Sequence, residues 1–472
     1  MDSQSTRLDS VKNCGMKHVL QVAFPLIMAA AGHAVNLFSD RVMLARYSAE
    51  AVSAAMPAGM TSFSISCIFV GIVGYANTFV AQYTGAGAEK RVGVSIWQAA
   101  GVALVGGLLL ASGWFWGDSL LKLFNHAENV YRQECIYFRV LALGAWIPLC
   151  IGAFSAFWSG RGKTLAVMII NFIMVSSNIP LNYMFIYGNW GSPELGIRGA
   201  AYGTLLSGLI GLSLFLLLFF RRENRRRYAT WPPKFEWDLW KRLVRYGTPN
   251  GIQLLIEISS FNIFIVLLGN VGGSDVENMR IQEAATIAFS LNAMAFIPML
   301  GLGQTVSILV GQSVGAGVPA AARRAVANAR FLVMWYMGLM TLFFAFWPDP
   351  AMALFYREGD PGQIETMEMA RYFLKFIAAF TFLDGIQMLY VSAIKGAGDT
   401  AFAMWGSVLT GWLVWIVPSL IAIKLRAPVS FFWSVLVLYT FVVAAVFYLR
   451  FRQGKWRKMS VIERNLIPRS AE

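Results

Sequence analysis

The sequence predicts an all-α integral membrane protein, with twelve transmembrane helices in two six-helix lobes related by a pseudo-two-fold axis along the membrane normal. Three observations carry this. Of 472 residues, 57% are hydrophobic and only 14% charged, with a mean hydropathy of +0.57, whereas a soluble domain carries about 25% charged residues. Apolar runs of spanning length recur along the whole chain. Short glycine-bearing motifs then repeat at an offset of about 230 residues, so the second half echoes the first.

The low charge means that lipid, not water, must cover much of the surface. Runs such as Val19–Ala34, Gly101–Phe115, Leu205–Phe220, Phe331–Trp347 and Phe431–Phe447 carry few or no charges. A helix crosses the hydrocarbon in roughly 20 residues at about 1.5 Å each. Backbone polar groups in lipid must be satisfied internally, which leaves helices or a closed barrel. Runs this long, without period-two alternation, exclude the barrel. The predicted spans are 17–45, 50–81, 92–116, 132–159, 164–188, 197–220, 246–270, 281–312, 321–347, 367–395, 400–424 and 430–450. The polar first stretch to Met16 gives no cleavable signal sequence, because the apolar run after it is long enough to stay in the membrane. Cys14, Cys67, Cys135 and Cys150 have no metal spacing and no disulfide framework is expected; His18, His33 and His126 form no cluster. The net charge of +14 is explained by basic loops rather than by a nucleic-acid partner.

One long polar connector, 221–245, separates an N-terminal lobe (1–220) from a C-terminal lobe (246–450) and its tail (451–472). It holds Arg221, Arg222, Arg225, Arg226 and Arg227, then Pro232-Pro233, and reads as a solvated linker that fixes topology. With twelve spans, both termini share one side with Lys90, Arg91, Arg161, Lys163, Arg323, Arg324, Lys395 and the basic tail. The other side carries Glu50, Asp118, Glu128, Glu194, Asp275, Glu277, Asp349, Glu358, Asp360 and Glu365. The positive-inside rule then puts both termini in the cytoplasm. A miscount by one span would mix the two sets, so their separation supports twelve.

The repeat is specific in register. Gln82-Tyr-Thr-Gly-Ala-Gly87 closes the second span and Gln312-Ser-Val-Gly-Ala-Gly317 the eighth. Lys17 and Pro25 of the first span answer Lys241 and Pro249 of the seventh, and Gly160-Arg-Gly-Lys-Thr164 answers Lys395-Gly-Ala-Gly-Asp-Thr400. Each half has an even number of spans, so the repeats are parallel. Two such lobes enclose a central cleft, and rocking one against the other gives alternating access. That favours a transporter over a receptor or a membrane enzyme, either of which would need a folded extramembrane domain or a catalytic constellation.

Charged groups inside the spans are the first functional candidates, because each costs at least ~2.5 kcal/mol at mid-bilayer. Glu257 lies eleven residues past Tyr246 and Asp384 eleven before Lys395, so both sit about 16 Å from the terminus-side edge. Two carboxylates at one depth in one lobe suit a coupling cation, either a sodium ion held through oxygen ligands or a shared proton. No basic residue lies within two helical turns of either along the chain. Asp40 is about 35 Å along its helix from Lys17, toward the far end of the other lobe. There it either binds a cation or pairs with Arg41 or Arg46. Gln253, Asn262, Gln282, Asn292 and Gln387 are candidates to line the cleft or to hold helices together. The 35 Phe and 16 Trp residues suit flat lipophilic cations, without singling out any ring. Pro25 is the candidate for a bend that changes during the cycle.

The doubled Gln-x-x-Gly-Ala-Gly, Phe38-Ser-Asp-Arg-Val-Met43, Ser192-Pro-Glu-Leu-Gly-Ile-Arg-Gly-Ala-Ala-Tyr-Gly-Thr204, Gly247-Thr-Pro249 and Lys395-Gly-Ala-Gly-Asp-Thr400 together resemble the multidrug and toxic-compound extrusion family, in its NorM-like bacterial branch. The resemblance spans roughly residues 15–450. It implies an antiporter that expels small organic, often cationic and amphipathic, compounds in exchange for inward sodium or protons. It further implies that Asp40, Glu257 and Asp384 serve ion coupling or substrate binding. NorM-like proteins often carry a tyrosine one turn before the tenth-span acid, where this chain has Phe380, so one hydroxyl ligand for sodium is missing. In the fifth span, Asn178 and Asn182 stand where another bacterial branch has an aspartate, and their amides could orient Asp40 or ligate a cation. The expected protein is a monomer in the bacterial inner membrane, in contact with lipid, with no cofactor beyond the coupling ion and no nucleic-acid partner. The alternative on the same plan is a flippase or exporter of a lipid-linked or biosynthetic product, which would need a cleft rich in Arg and Lys.

Overall fold

The computed structural model describes residues 14–356 and 362–468. Glu358 and Asp360, counted above among the acidic loop residues, lie outside the described residues, as does most of the polar N-terminal stretch. The described chain is helical throughout its spans. In order these are α1 (Met16–Tyr47), α2 (Ala49–Gly85), α3 (Glu89–Ala111), α4 (Glu128–Gly144 with Trp146–Ser159, bent by 40° at the break), α5 (Thr164–Tyr187), α6 (Ile197–Phe219), α7 (Trp237–Leu268), α8 (Asp275–Gly315), α9 (Pro319–Phe346), α10 (Gln363–Ala397), α11 (Thr400–Lys424) and α12 (Val429–Arg452). With the bent pair taken as one span, the count is twelve. The two described chain ends share one end of the bundle. Asn328 donates to the Cys14 carbonyl at 2.8 Å, and the Pro468 carbonyl packs against Gly317.

Local chemistry explains several boundaries. The Ser48 hydroxyl accepts from the Ala51 amide and opens α2, a cap worth about 1 kcal/mol. Gly87 and Gly317, the last glycines of the repeated motif, adopt φ of +71° and +69°, a left-handed turn that a side chain strains. Helix α7 begins at Trp237, ahead of the 246 read from hydropathy. Its first turns carry Asp238, Lys241, Arg242 and Arg245, which hide the helix from an apolar window. The connector before it is docked on the N-terminal lobe. A short helix, Arg222–Tyr228, buries Tyr228, Arg227 grips Glu89 at 2.7 and 2.8 Å, and Trp97 donates to the Thr230 carbonyl. Arg221, Arg222, Arg225 and Arg226 of the arginine run are exposed, as a solvated linker requires, while Arg227, Tyr228 and Thr230 pin the connector. Its sequence shows the charges but not the aromatic and backbone groups that pin it.

The lobes meet at the terminus-bearing end. There α2 crosses α7 backbone to backbone: a Cβ on Gly71 would lie 2.2 Å from the Gly251 Cα, and one on Gly251 would lie 2.4 Å from the Ile68 carbonyl oxygen. Asn250 donates to the Gly71 carbonyl at 2.9 Å. The paired crossing puts Gly301 of α8 against Ile27 of α1, where a Cβ would be 2.5 Å from the amide nitrogen. The doubled motif closes the contact. The Gln82 amide donates to the Gly396 carbonyl of the other lobe at 3.0 Å, and Gln312 donates to Gly160 at 2.9 Å. Gly85 leaves room for the Gln312 carbonyl, and Gly315 for that of Gln82; a Cβ at either would come within 2.0 Å of the oxygen. Tyr75 adds a hydroxyl bond to the Lys395 carbonyl at 2.7 Å. Among the described residues, the cross-lobe hydrogen bonds all fall in this half of the molecule.

Candidate functional site

The carboxylates named from sequence sit in two polar clusters inside the spans, one in each lobe. In the N-terminal lobe, Asp40 of α1 is 6% exposed, and Asn178 and Asn182 of α5 are fully buried. The Asn182 amide donates to Asp40 Oδ1 and, through its second hydrogen, to Asn178 Oδ1 at 2.9 Å. The Thr204 hydroxyl of α6 lies 3.3 Å from Asp40 Oδ2 and 3.0 Å from the Ala200 carbonyl, so its one proton serves either acceptor. The i, i+4 spacing of the two asparagines stacks them on one helix face. Gly203 makes the approach of α6 feasible, because a Cβ there would sit 2.0 Å from Asn182 Oδ1. The structure thus brings together the three N-lobe residues named from sequence and adds Thr204. Asp40 forms no ion pair with Arg41 or Arg46 among the described residues.

In the C-terminal lobe, Gln253 (2% exposed) and Glu257 are one turn apart on α7. Gln253 donates to Glu257 Oε1 at 2.7 Å and to the Ser407 hydroxyl of α11 at 3.0 Å, and Ser407 in turn donates to Glu257 Oε1 at 3.1 Å. This closed triangle fixes one carboxylate oxygen with neutral donors. Asp384, half-buried on α10, is within electrostatic range of Glu257 and takes part in no hydrogen bond or ion pair among the described residues. Tyr439 of α12 lies within electrostatic range of both carboxylates. Its ring stacks on Trp415 with centroids 5.0 Å apart, inside the π-helical stretch Gly411–Ile416 of α11; such irregular turns mark functional sites often. A tyrosine thus stands within electrostatic range of this cluster on another helix than the one that carries Phe380. Lys395 is a second addition: read from sequence as a loop base, it lies at the end of α10, half-buried, within electrostatic range of Glu257. The reading that no base lies near Glu257 holds along the chain but not in space.

The remaining candidates stand apart from these clusters. Asn262 is exposed and bonds back to the Ile258 carbonyl of its own helix. Gln282 is exposed and lines an open groove with Ile265, Met279, Glu283 and Thr286. Asn292 accepts from the Thr381 hydroxyl at 2.7 Å, which ties α8 to α10. Gln387 is half-buried one turn past Asp384. Pro25 is buried within α1, which continues through it as one helix; the proline removes the amide that would bond Gln21.

The family profile described as MatE matches this chain twice, over residues 25–184 and 249–421. The two matches begin at Pro25 and Pro249, in the register of the internal repeat, and together cover well over half of the chain. The chain belongs to the MatE family. It is therefore a NorM-like MATE membrane transporter and not an enzyme. Among its relatives, a probable multidrug resistance protein NorM of Thermotoga maritima is 24% identical over 96% of this chain and 95% of that protein. The multidrug resistance protein PmpM of Pseudomonas aeruginosa is 26% identical over 84% and 82%. A solved multidrug resistance MATE family transporter in an outward-facing conformation superimposes with a TM-score of 0.85 at 18% identity, over 95% of this chain and 98% of that one. The eukaryotic MATE transporter AtDTX14 does so with 0.80 at 17%, over 94% and 96%. The MATE fold accounts for the two six-helix lobes, and the clusters around Asp40 and Glu257 fall one in each.

Proposed function

We propose that this MATE protein is a cation-coupled antiporter, driven by inward sodium or protons, that exports small organic, often cationic and amphipathic, compounds by alternating access. One observation carries the reading. Each lobe holds a carboxylate inside its spans, buried at Asp40 and half-buried at Glu257, that is bonded by amides and hydroxyls and has no ion-pair partner among the described residues, while the cross-lobe hydrogen bonds among those residues all fall toward one end. Such a group is costly in a membrane interior unless a cation visits it. Glu257 and Asp384, with Tyr439 beside them, form the coupling-ion site; Asp40, Asn178 and Asn182 form a cation, proton or substrate site in the other lobe. Lys395 supplies counter-charge to Glu257 when the ion has left. Coupling follows if ion and substrate prefer different lobe arrangements, since equal affinity for both shifts nothing. The names of the NorM and PmpM relatives support drug-like cargo. The basic residues at the terminus-bearing end support cytoplasmic termini in a bacterial inner membrane, with the arrangement described here open to the outside.

Purified protein in proteoliposomes tests this directly. An imposed sodium gradient or an imposed pH gradient, applied in turn, should drive uptake or release of a fluorescent organic cation, and the one that does so names the ion. No movement under either gradient would remove the antiport assignment. A second expectation concerns Gly203. Gly203→Ala should displace Asn182 and depress efflux in the same direction as Asp40→Asn, whereas Gly101→Ala, where a Cβ meets nothing within 4 Å, should leave it unchanged. Transport by Gly203→Ala at the parent level would show that the amide contact to Asp40 is dispensable.

A further inference from the structure

The chain continues past α12 into a segment that recrosses the molecule. Trp456 is 1% exposed in the core of the C-terminal lobe, stacked on Phe451 at 5.0 Å. The next residues leave that lobe: Val461 and Ile462, 1% and 4% exposed, join the apolar core of the N-terminal lobe beside Phe79, Tyr83 and Val92. The Val461 amide donates to Gln82 Oε1 at 2.9 Å, and the Ser460 hydroxyl reaches the same oxygen at 3.3 Å. Glu463 accepts from the Tyr83 hydroxyl at 2.9 Å, from Arg91 at 2.9 Å and from Arg242 at 2.5 Å. The Pro468 carbonyl then lies against Gly317, back on the C-terminal lobe. The segment is thus tied to the C-terminal lobe at both ends, and in its middle to the N-terminal lobe and to Arg242 at the start of α7.

We propose that residues 459–468 form a strap that holds the terminus-bearing end of the two lobes shut, with Glu463 as its pin. The side chain of Gln82 joins the two closures: its amide bonds the opposite lobe at Gly396 and its oxygen takes the strap. Separating the lobes here means parting Gln82 from Gly396 while the strap, tethered to α12, pulls on Tyr83 and Arg91. Burial works against the charge of Glu463, yet the Arg242 hydrogen bond, its own backbone amide and the Tyr83 hydroxyl outweigh it and hold the carboxyl below its usual range. Hydrogen bonds to a charged group are among the stronger ones in a protein, so the pin weights the closed arrangement and slows the opening that alternating access requires. The strap rests on that alternating-access reading but not on the identity of the ion or its site.

Pulsed electron-spin distance measurements test it, with spin labels on Lys90→Cys and Arg323→Cys, both exposed and in different lobes. Cys14, Cys67, Cys135 and Cys150 are replaced by alanine, and the protein is held in nanodiscs without gradient or substrate. With the strap intact, the short distance dominates. Glu463→Gln should raise the ratio of separated to closed lobes roughly tenfold, the effect of losing a charge-assisted hydrogen bond, and a chain ended after Met459 should raise it further. Distances unchanged in Glu463→Gln would overturn the proposal, and that variant decides the matter alone if the shortened chain fails to insert. The readout needs no transport, so failure of the antiport assignment and failure of the strap are seen separately.

Discussion

Cells that carry the Glu257→Gln/Asp384→Asn double variant should accumulate a fluorescent organic cation to the level of cells without the transporter, while the variant remains in the membrane at the parent level. The hydrogen-bonding geometry explains why folding should survive. Glutamine at 257 still offers an acceptor oxygen to the Gln253 amide and the Ser407 hydroxyl, which lie at 2.7 and 3.1 Å. Asp384 gives up no hydrogen bond, since none is formed among the described residues. What disappears is negative charge at mid-membrane. To carry a two-state protein from 1:99 to 99:1, a ligand must discriminate between the states by about 5.5 kcal/mol. A pair of neutral amides offers a cation no such discrimination. Efflux and its gradient dependence should therefore vanish together, and efflux at the parent rate would remove Glu257 and Asp384 from the mechanism.

A substitution far from both carboxylates should be nearly as severe. Gly71→Leu places a side chain where even a Cβ would be 2.2 Å from the Gly251 Cα, and the obstacle is backbone, which cannot rotate away. Overpacking typically costs about 1–3 kcal/mol, and here the cost falls only on the arrangement in which α2 and α7 touch. The closed terminus-side state should lose roughly tenfold or more in population, since about 1.4 kcal/mol is a factor of ten. Efflux should drop by at least a similar factor. Gly74, one turn along the same helix, meets nothing within 4 Å, so Gly74→Leu is the matched control and should transport normally. Equal activity in the two variants would show that the crossing does not close during the cycle.

Much of this architecture is legible in the sequence, for identifiable reasons. Lipid demands long apolar helices, and the doubled Gln-x-x-Gly-Ala-Gly gives the duplication because both of its outer glycines are under geometric constraint. Asn178 with Asn182 and Gln253 with Glu257 could be paired from i, i+4 spacing. Ser407 and Thr204 could not, because 150 residues separate Ser407 from Glu257 and 164 separate Thr204 from Asp40, and periodicity does not report which helices adjoin. Tyr439 and Lys395 were hidden differently: one looks like any aromatic in a lipid-facing run, the other like any base at a helix end. The docking of the connector and tail was not legible because short polar segments give no periodic signal even when Tyr228, Val461 and Ile462 are buried.

The exchange between Gln82 and Gln312 has a consequence for how such a molecule changes over generations. Each glutamine bonds the other half's turn, and the first glycine of each motif makes space for the other half's glutamine, which is the self-complementary contact of a two-fold dimer. In a two-fold dimer of identical six-helix units, a single mutation in this motif would strike the contact twice. In the fused chain each copy can drift alone, and an alteration in one is compensated only by its partner in the other half. The tail has already broken the equivalence, since Val461 binds Gln82 from a segment present once per chain. Paired changes at 82 with 396 and at 312 with 160, independent of each other, are therefore the trace that this exchange should leave among related chains.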